Sequence, residues 1–280
     1  MKFRALLELM RVSNLPTVWS NTWMGWLAGN YAAMLTSGLG EDAPVFFENW
    51  YYLSGIGVLA ALAMSLIYSG GMVMNDYIDR DVDALERPGR PIPSGRISIP
   101  AARALAVFML LLGLACVVLT DRLSQANGAK LFLSPAVLLA LGLVVIVFLY
   151  NILHQKSALT VMLMGACRSL LVLTCAALAF VPLPIHESLP KAVLAFWLVV
   201  VGVAIPAFAY TGLISAAARR EADPRCRRWF DGPKTIMNMI AAMPLLDALW
   251  LVLMGLWPAS LVCVGCAGLT KLGHRRIAGS

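Results

Sequence analysis

Residues 75–83, with the sequence NDYIDRDVD, place four aspartates directly after a long apolar stretch that carries no charge. At 100° per residue in an α-helix, Asp76, Asp79 and Asp83 fall within an arc of about 60°, whereas Asp81 points elsewhere. Carboxylates on one face repel one another, and a bound cation relieves that repulsion. The spacing therefore predicts a cation site at the end of this helix.

The type of cation follows from the ligands. Carboxylate oxygens select a hard ion, and Mg²⁺ usually takes one or two carboxylates together with waters and phosphate oxygens. Ca²⁺ would need more protein oxygens and a loop built around them. The pattern favours Mg²⁺ beside a phosphate group. The alternative is a solvated helix end, whose acids pair with Arg80, Arg87, Arg90 and Arg96.

The composition indicates that membrane helices must position these residues. Of the 280 residues, 60% are apolar and 13% are charged, whereas soluble domains carry about 25% charged residues. A bilayer core about 30 Å thick requires about 20 apolar residues for each helical span. The sequence predicts an all-α integral membrane bundle that forms one domain over residues 1–280. The predicted spans cover residues 15–36, 52–77, 101–120, 131–151, 158–181, 190–217, 234–256 and 258–272.

The basic residues indicate the orientation. Of the 22 Lys and Arg, 18 flank the N-terminus, the second, fourth and sixth loops or the C-terminus, three lie on the opposite side, and Arg168 lies within a span. Because cytoplasmic loops carry the excess of Lys and Arg, both termini and the loops at 76–100 and 218–233 are predicted to be cytoplasmic. Topology thus explains the net charge of +7, and nucleic-acid binding is not expected. No removable signal peptide is expected, and the predicted location is a bacterial-type cell membrane.

The aspartate pattern resembles the first motif of the UbiA superfamily of membrane prenyltransferases, which reads NDxxDxxxD followed by an Arg-Pro turn. The matching residues are Asn75, Asp76, Asp79, Asp83 and the segment 90–95, RPIPSG. A looser similarity extends over most of the chain. It includes Arg11, Asn14 and Pro16 at the first span, Tyr150 at the end of the fourth, and Gly232, Lys234 and Thr235 at the start of the seventh.

The resemblance implies Mg²⁺-dependent transfer of a prenyl group from an isoprenoid diphosphate to an acceptor that the sequence does not identify. It makes Asp76, Asp79 and Asp83 the catalytic metal ligands on the cytoplasmic side. The expected substrate-binding residues are Asn75, Arg11, Asn14, Arg90, Tyr150, Lys156, Arg168 and Lys234.

The chain departs from the family pattern in three places. The second aspartate motif, expected after the sixth span, is broken, and only Glu221, Asp223 and Asp231 lie there; Glu221 and Asp231 are the candidate ligands for a further metal ion. Where the family tends to place a basic residue four positions after the tyrosine, this chain has His154, so Lys156 is the expected diphosphate contact. The family usually has nine spans, and eight are predicted here.

Other residues deep in the predicted spans need an explanation. Arg168 and Asp247 lie far from either membrane surface, where an unpaired charge is costly, and they are predicted to face the interior of the bundle. Trp19, Trp23 and Trp26 recur on one side of the first helix, where packing or lipid contact is favoured over the lining of a prenyl groove.

Two other functions were compared with this one. A CDP-alcohol phosphotransferase is also a membrane enzyme with acidic motifs, but it would need the motifs DGxxAR and GxxxDxxxD, and the sequence contains neither. A non-catalytic prenyl-lipid-binding or transport protein with the same fold is the main alternative, and the broken second motif keeps it open.

Overall fold

The computed structural model describes residues 2–36, 50–124, 134–153, 159–179, 189–221 and 233–276, and these residues form helices joined by turns. No β-strand occurs within these ranges. The helices are α1 (Lys2–Leu9), a 3-10 turn (Val12–Asn14), α2 (Leu15–Thr36), α3 (Trp50–Ile78), α4 (Arg80–Glu86), α5 (Ile99–Ser124), α6 (Pro135–Leu153), α7 (Thr160–Ala179), α8 (Leu189–Glu221), α9 (Pro233–Leu253) and α10 (Trp257–Arg276).

The predicted integral membrane bundle of α-helices is confirmed, although the number of spans is less definite than predicted. All eight predicted spans correspond to helices, which are α2, α3 and α5 to α10. Among the described residues, six helices are long and apolar enough to cross a bilayer, namely Gly55–Ile78, Ile99–Ser124, Pro135–Leu153, Thr160–Ala179, Val200–Arg220 and Lys234–Leu253. Helices α2 and α10 are as long but contain more polar residues.

Helix α2 lies near the centre of the bundle and packs against α3, α7, α8, α9 and α10. It can approach α7 closely because small residues lie between the two backbones. A Cβ atom added at Gly25 would lie 2.6 Å from the carbonyl oxygen of Val172 and 3.2 Å from Cys175 Cβ. The central position of α2 brings the turn before it, which contains Arg11, next to the end of α3.

Helix α3 carries the aspartate motif at its end and continues almost directly into α4. The amide of Asp79 donates to the carbonyl of Asn75 (2.9 Å), and that of Asp83 donates to the carbonyl of Asp79 (2.8 Å). The helical hydrogen-bond pattern therefore continues through the motif. Residues 76–100, which were predicted to be a loop, contain the short helix α4.

The segment after α4 folds back over the end of α3. The amide of Ser94 donates to the carbonyl of Arg90 (3.0 Å), and Ile97 donates to Pro91 (3.0 Å). Gly95 adopts the left-handed conformation (φ 70°) that this compact turn requires and that glycine adopts at little cost. Ile92 is buried against Leu9 and Val73, which anchors the turn beside the aspartates.

Candidate functional site

Two of the three motif aspartates share one arginine. Asp76 and Asp83 are each only 4% exposed. Arg90 donates from Nη1 to Asp83 Oδ2 at 2.6 Å and lies 3.4 Å from Asp76 Oδ1, while Arg11 donates from Nη2 to the same Asp76 oxygen at 3.2 Å. Two carboxylates and two guanidinium groups thus form one compact and nearly neutral cluster, in which charge-assisted hydrogen bonds replace water.

The third motif aspartate has a different environment. Asp79 is buried and accepts a hydrogen bond from Asn75 Nδ2 (3.2 Å). It lies within electrostatic range of the Tyr150 phenol on α6. Asn75 therefore contacts a motif carboxylate, while its predicted role in substrate binding stays a prediction.

The expected convergence of three carboxylates on one ion is not formed. Within the described ranges, no three Asp, Glu, His or Cys side chains lie close enough together to hold one metal ion. Helical spacing places the three aspartates on one broad face. Asp76 and Asp83 both contact Arg90, which lies in the turn at residues 87–98. Asp79 instead accepts a hydrogen bond from Asn75, one helical turn before it. All three side chains nevertheless remain buried where α3 passes into α4.

The donor set still fits a hard divalent cation. Asp76 and Asp83 offer carboxylate oxygens within reach of a single arginine nitrogen, and Mg²⁺ is commonly held by one or two carboxylates plus substrate phosphates. A nearly neutral cluster also lacks the positive charge that a diphosphate, with about three negative charges, requires. A cation that enters with the diphosphate would supply that charge.

An unusual backbone conformation positions Arg11. Its φ of 49° and ψ of 46° lie in the left-handed region, which residues other than glycine seldom adopt. The amide of Asn14 closes the turn by donating to the Arg11 carbonyl at 2.9 Å. Such a conformation costs about 1–3 kcal/mol and persists only where the surrounding structure enforces it.

A polar cavity of about 400 Å³ opens beside the cluster. It is lined by Glu8, Asp76, Arg87, Gly89, Arg90, Pro91 and Arg96. Arg96 closes one side by donating to Glu8 Oε2 and to the Gly89 carbonyl, both at 2.7 Å. Arg87 and Arg96 were predicted only as partners of the acids, and Glu8 was not predicted. Its i,i+4 spacing from Arg4 on α1 is a signal that the sequence does contain.

A second, apolar cavity of about 60 Å³ lies deeper, between α3, α6 and α7. Its wall contains Tyr150 and Arg168, which were predicted to bind substrate, together with Tyr68 and Asn151, for which no such role was predicted. Asn151 donates from Nδ2 to the Gly71 carbonyl (3.3 Å), which ties α6 to α3 below the aspartates. The other lining residues are Met64, Ile67, Gly71, Met72, Leu143, Val147, Met164, Cys167 and Leu171.

Arg168 and Asp247 both face the interior, which confirms the prediction made for them. They are joined through Asn21, whose Oδ1 accepts from Arg168 Nη1 (2.9 Å) and whose Nδ2 donates to Asp247 Oδ1 (3.0 Å) and Oδ2 (2.8 Å). Thr17 accepts a second bond from Arg168 (2.8 Å), and Ser20 donates to Asp247 (2.7 Å). Such a network makes two charges tolerable inside an apolar bundle.

The remaining predicted site residues divide into three groups. Asn14 is buried, and its Oδ1 lies 2.6 Å from His274 Nε2, so its side chain bonds to α10. Lys234 is exposed at the start of α9. Lys156 and Asp231 lie outside the described residues, as does the side chain of Glu221, the last residue of α8.

The three tryptophans do not form a shared lining. Trp26 is buried in the core, and Trp23 donates from Nε1 to the Ala259 carbonyl (3.2 Å). Trp19 is 40% exposed and donates to Ser65 Oγ (3.0 Å). These contacts agree with the packing role that was favoured for them.

Fold and site together define a class of protein: a helical integral membrane protein with buried aspartates and arginines clustered at a helix end. A sequence profile of the UbiA prenyltransferase family matches residues 32–278. The chain therefore belongs to the UbiA prenyltransferase family.

Similar curated proteins bear a common name, digeranylgeranylglyceryl phosphate synthase. The protein from Saccharolobus solfataricus is 32% identical over 122 residues, which is 43% of this chain and 36% of the relative. The one from Ignicoccus hospitalis is 35% identical over 135 residues, or 47% and 38% of the two chains. The match thus spans little more than a third of each relative's length.

Among solved structures, a UbiA homolog from Archaeoglobus fulgidus, described as bound to GPP and Mg²⁺, is similar in overall course. It is 16% identical with a TM-score of 0.48, and the alignment covers 96% of this chain and 85% of that chain.

Proposed function

We propose that this chain is a Mg²⁺-dependent prenyltransferase, which moves a prenyl group from an isoprenoid diphosphate to an acceptor within the membrane. The observation that carries the proposal is the buried cluster of Asp76, Asp83, Arg11 and Arg90. Two of its members, Asp76 and Arg90, line a polar cavity of about 400 Å³. Membership of the UbiA prenyltransferase family supports the same reaction class.

The polar cluster would bind the diphosphate. Asp76 and Asp83 would hold Mg²⁺, with Asp79 as a further carboxylate nearby. Arg11, Arg90 and the exposed Lys234 would contact phosphate oxygens, and Lys156 is the further basic residue that we assign to this role. Glu221 and Asp231 are the residues that we assign to a second metal ion.

Transfer breaks the bond between the allylic C1 carbon and the diphosphate oxygen, and the electron pair leaves with the diphosphate. When bound, Mg²⁺ supplies positive charge that stabilises the leaving group. Arg11 and Arg90 add fixed donors to the charge that gathers on the phosphate oxygens, where preorganised groups are most effective. The acceptor forms the new bond to C1 and loses a proton.

The apolar cavity would hold the part of the prenyl chain next to the reacting carbon. Its lining is mostly Met, Leu, Ile and Val side chains on α3, α6 and α7. Along α3 the lining extends from about one turn to about three turns before Asp76. An apolar wall excludes water, which would otherwise capture the allylic cation. The Arg168 guanidinium already lies over the Tyr68 ring, 5.5 Å from its centroid, so Tyr150 is the aromatic residue of this lining that we assign to the positive charge.

We assign the acceptor to the lipids, and a glyceryl phosphate lipid is the first one to test because similar proteins are named digeranylgeranylglyceryl phosphate synthase. We place the site and both termini on the cytoplasmic side, on the basis of the distribution of Lys and Arg. Non-catalytic binding of prenyl lipids is the second candidate, favoured by the separation of Asp79 from the Asp76–Asp83 pair.

The test uses detergent-purified protein with labelled geranyl, farnesyl and geranylgeranyl diphosphates, with Mg²⁺ or EDTA, and follows both ligand binding and diphosphate release. Asp76→Asn and Asp83→Asn are expected to reduce release at least 100-fold, because each removes a buried charge from the cluster. Asp81→Asn is the matched control, since the Asp81 side chain is 81% exposed on the same helix, and it should behave as wild type.

The outcomes separate the candidates. Mg²⁺-dependent release with transfer to a glyceryl phosphate lipid supports the enzyme. Mg²⁺-dependent binding without release under any acceptor supports the lipid-binding alternative. Binding that is indifferent to EDTA and survives both substitutions would refute the proposed site.

A further inference from the structure

The last helix of the chain touches the turn that contains Arg11. Helix α10 packs along α2 and the 3-10 turn, and its final residues lie directly on that turn. A Cβ atom added at Gly273 would lie 3.1 Å from Ser13 Cα and 3.3 Å from the Ser13 carbonyl oxygen. Glycine at this position lets the two backbones meet.

A short hydrogen bond fixes this contact. His274 Nε2 lies 2.6 Å from Asn14 Oδ1, and since an amide oxygen only accepts, Nε2 carries the hydrogen. Asn14 is buried. Its backbone is also fully used, because its amide donates to the Arg11 carbonyl (2.9 Å) and its carbonyl accepts from Thr17 Oγ1 (2.8 Å).

The consequence concerns Arg11. Its left-handed backbone conformation is unfavourable by itself and requires the turn from Arg11 to Asn14 to be held from outside. The bond to Asn14 holds the far end of that turn, and Arg11 at its near end reaches Asp76 at 3.2 Å. Within the described residues, the sequence of contacts therefore runs from His274 through Asn14 to Arg11 and the aspartate.

We propose that His274 is a positioning residue of the diphosphate site: through Asn14 it holds the turn that directs Arg11 towards Asp76. In the described part of the chain, His274 bonds to Asn14 and does not line the polar cavity. The inference rests on the proposed function, because Arg11 matters only if a phosphate group binds beside Asp76.

A purely structural role for His274 is the competing explanation, and the choice of variants separates the two. His274→Ala removes the bond, His274→Gln keeps an amide donor for Asn14, and His274→Glu offers an acceptor of similar size that cannot donate when ionised. Lys271→Ala is the control, because Lys271 is exposed and lies one turn earlier on the same helix.

The experiment measures the dissociation constant of geranylgeranyl diphosphate with Mg²⁺ together with the melting temperature of each full-length variant. His274→Ala and His274→Glu are expected to weaken binding at least fivefold, and His274→Gln and Lys271→Ala less than twofold. In an Arg11→Ala background, His274→Ala should add less than twofold, because its effect passes through Arg11.

Several results would overturn the inference. They are unchanged affinity in His274→Ala, equal losses in the Gln and Glu variants, or a full additional loss in the Arg11→Ala background. If His274→Ala does not fold, the comparison of Gln with Glu decides. Failure of the wild-type protein to bind geranylgeranyl diphosphate would instead refute the proposed function, so the two failures remain distinguishable.

Discussion

Arg11 combines an unfavourable backbone conformation with a direct contact to the candidate site. Its guanidinium donates to Asp76, while its φ of 49° places the backbone where a side chain is disfavoured. Strain of this kind tends to persist where it serves a site rather than stability. Two substitutions can separate these two properties, because glycine removes both the strain and the guanidinium, whereas alanine removes only the guanidinium.

We expect Arg11→Gly and Arg11→Ala to weaken geranylgeranyl diphosphate binding equally, by about tenfold, since both lose one charge-assisted hydrogen bond. Arg11→Gly should be the more stable of the two by about 1 kcal/mol, because glycine adopts the left-handed conformation freely. Binding and melting temperature are measured on both proteins. Equal melting temperatures would contradict the assignment of strain to Arg11.

For individual residues, the sequence indicated which side chains belong to the candidate site better than it indicated how they are arranged. Helical spacing identified Asp76, Asp79 and Asp83, and the resemblance added Arg11 and Arg90. The division of the aspartates was not predictable, because it depends on where the turn after α4 places Arg90. Glu8 was missed for the same reason, since its role at the polar cavity comes from a partner 88 residues away.

The contact between α2 and α7 limits which side chains the centre of the bundle can accept. We expect Gly25→Ala to destabilise the protein by about 1–3 kcal/mol, because its methyl group would meet the backbone carbonyl of Val172, which cannot rotate away. Gly265→Ala on α10 is the control. Among the described residues, no atom outside its own helix backbone lies within 4 Å of its added Cβ, and alanine favours the helix by about 1 kcal/mol.

Thermal unfolding in detergent measures both effects. A lower melting temperature for Gly25→Ala, with an equal or higher one for Gly265→Ala, would confirm the close packing of α2 on α7. A Gly25→Ala protein that melts with the wild type would show that the two helices can separate at little cost.

The docking of α10 should depend on pH. Burial lowers the pKa of His274 below its usual value of about 6.5, because the charged imidazolium is poorly solvated there. A histidine with a lowered folded-state pKa binds fewer protons in the folded than in the unfolded protein. Stability is therefore fully present above pH about 6.5 and is lost as the pH falls through the folded-state pKa.

We expect the melting temperature to fall between pH 7 and pH 5 more steeply in the wild type than in His274→Gln, which cannot titrate at this position. Parallel pH profiles of the two proteins would show that His274 titrates alike in the folded and unfolded states. Lys271→Ala should follow the wild type.

Long elements were predictable and short ones were not. The predicted spans 52–77 and 190–217 correspond to Trp50–Ile78 and Leu189–Glu221, because each apolar run is longer than the uncertainty of its ends. The three short elements are α1, the 3-10 turn and α4, with eight, three and seven residues. None of them contains an apolar run long enough to predict it from the sequence. Yet two of these three short elements carry or adjoin the site residues Arg11 and Asp83.

Across the whole molecule, buried polar residues join helices that are distant in sequence. Asn21 on α2 links Arg168 on α7 to Asp247 on α9. The inward direction of the two charges followed from the cost of exposing them to lipid. The role of Asn21 as their shared partner could not be predicted, because the sequence around a single asparagine does not indicate which distant helix it will contact.

The orientation of the bundle decides whether the site opens to the compartment where it is expected to work. Of the 22 Lys and Arg, 18 lie on the side of the N-terminus, the aspartate motif and the C-terminus, whereas the first loop contains Glu41, Asp42 and Glu48 as its only charged residues. Because this asymmetry sets topology during insertion, we expect the C-terminus and the aspartate cluster to be cytoplasmic.

In a bacterial host, green fluorescent protein fused after Ser280 should fluoresce and alkaline phosphatase fused there should be inactive. The same phosphatase fused after residue 45 should be active, and the reverse pattern at both positions would place the site on the outer face and overturn the orientation while leaving its chemistry intact.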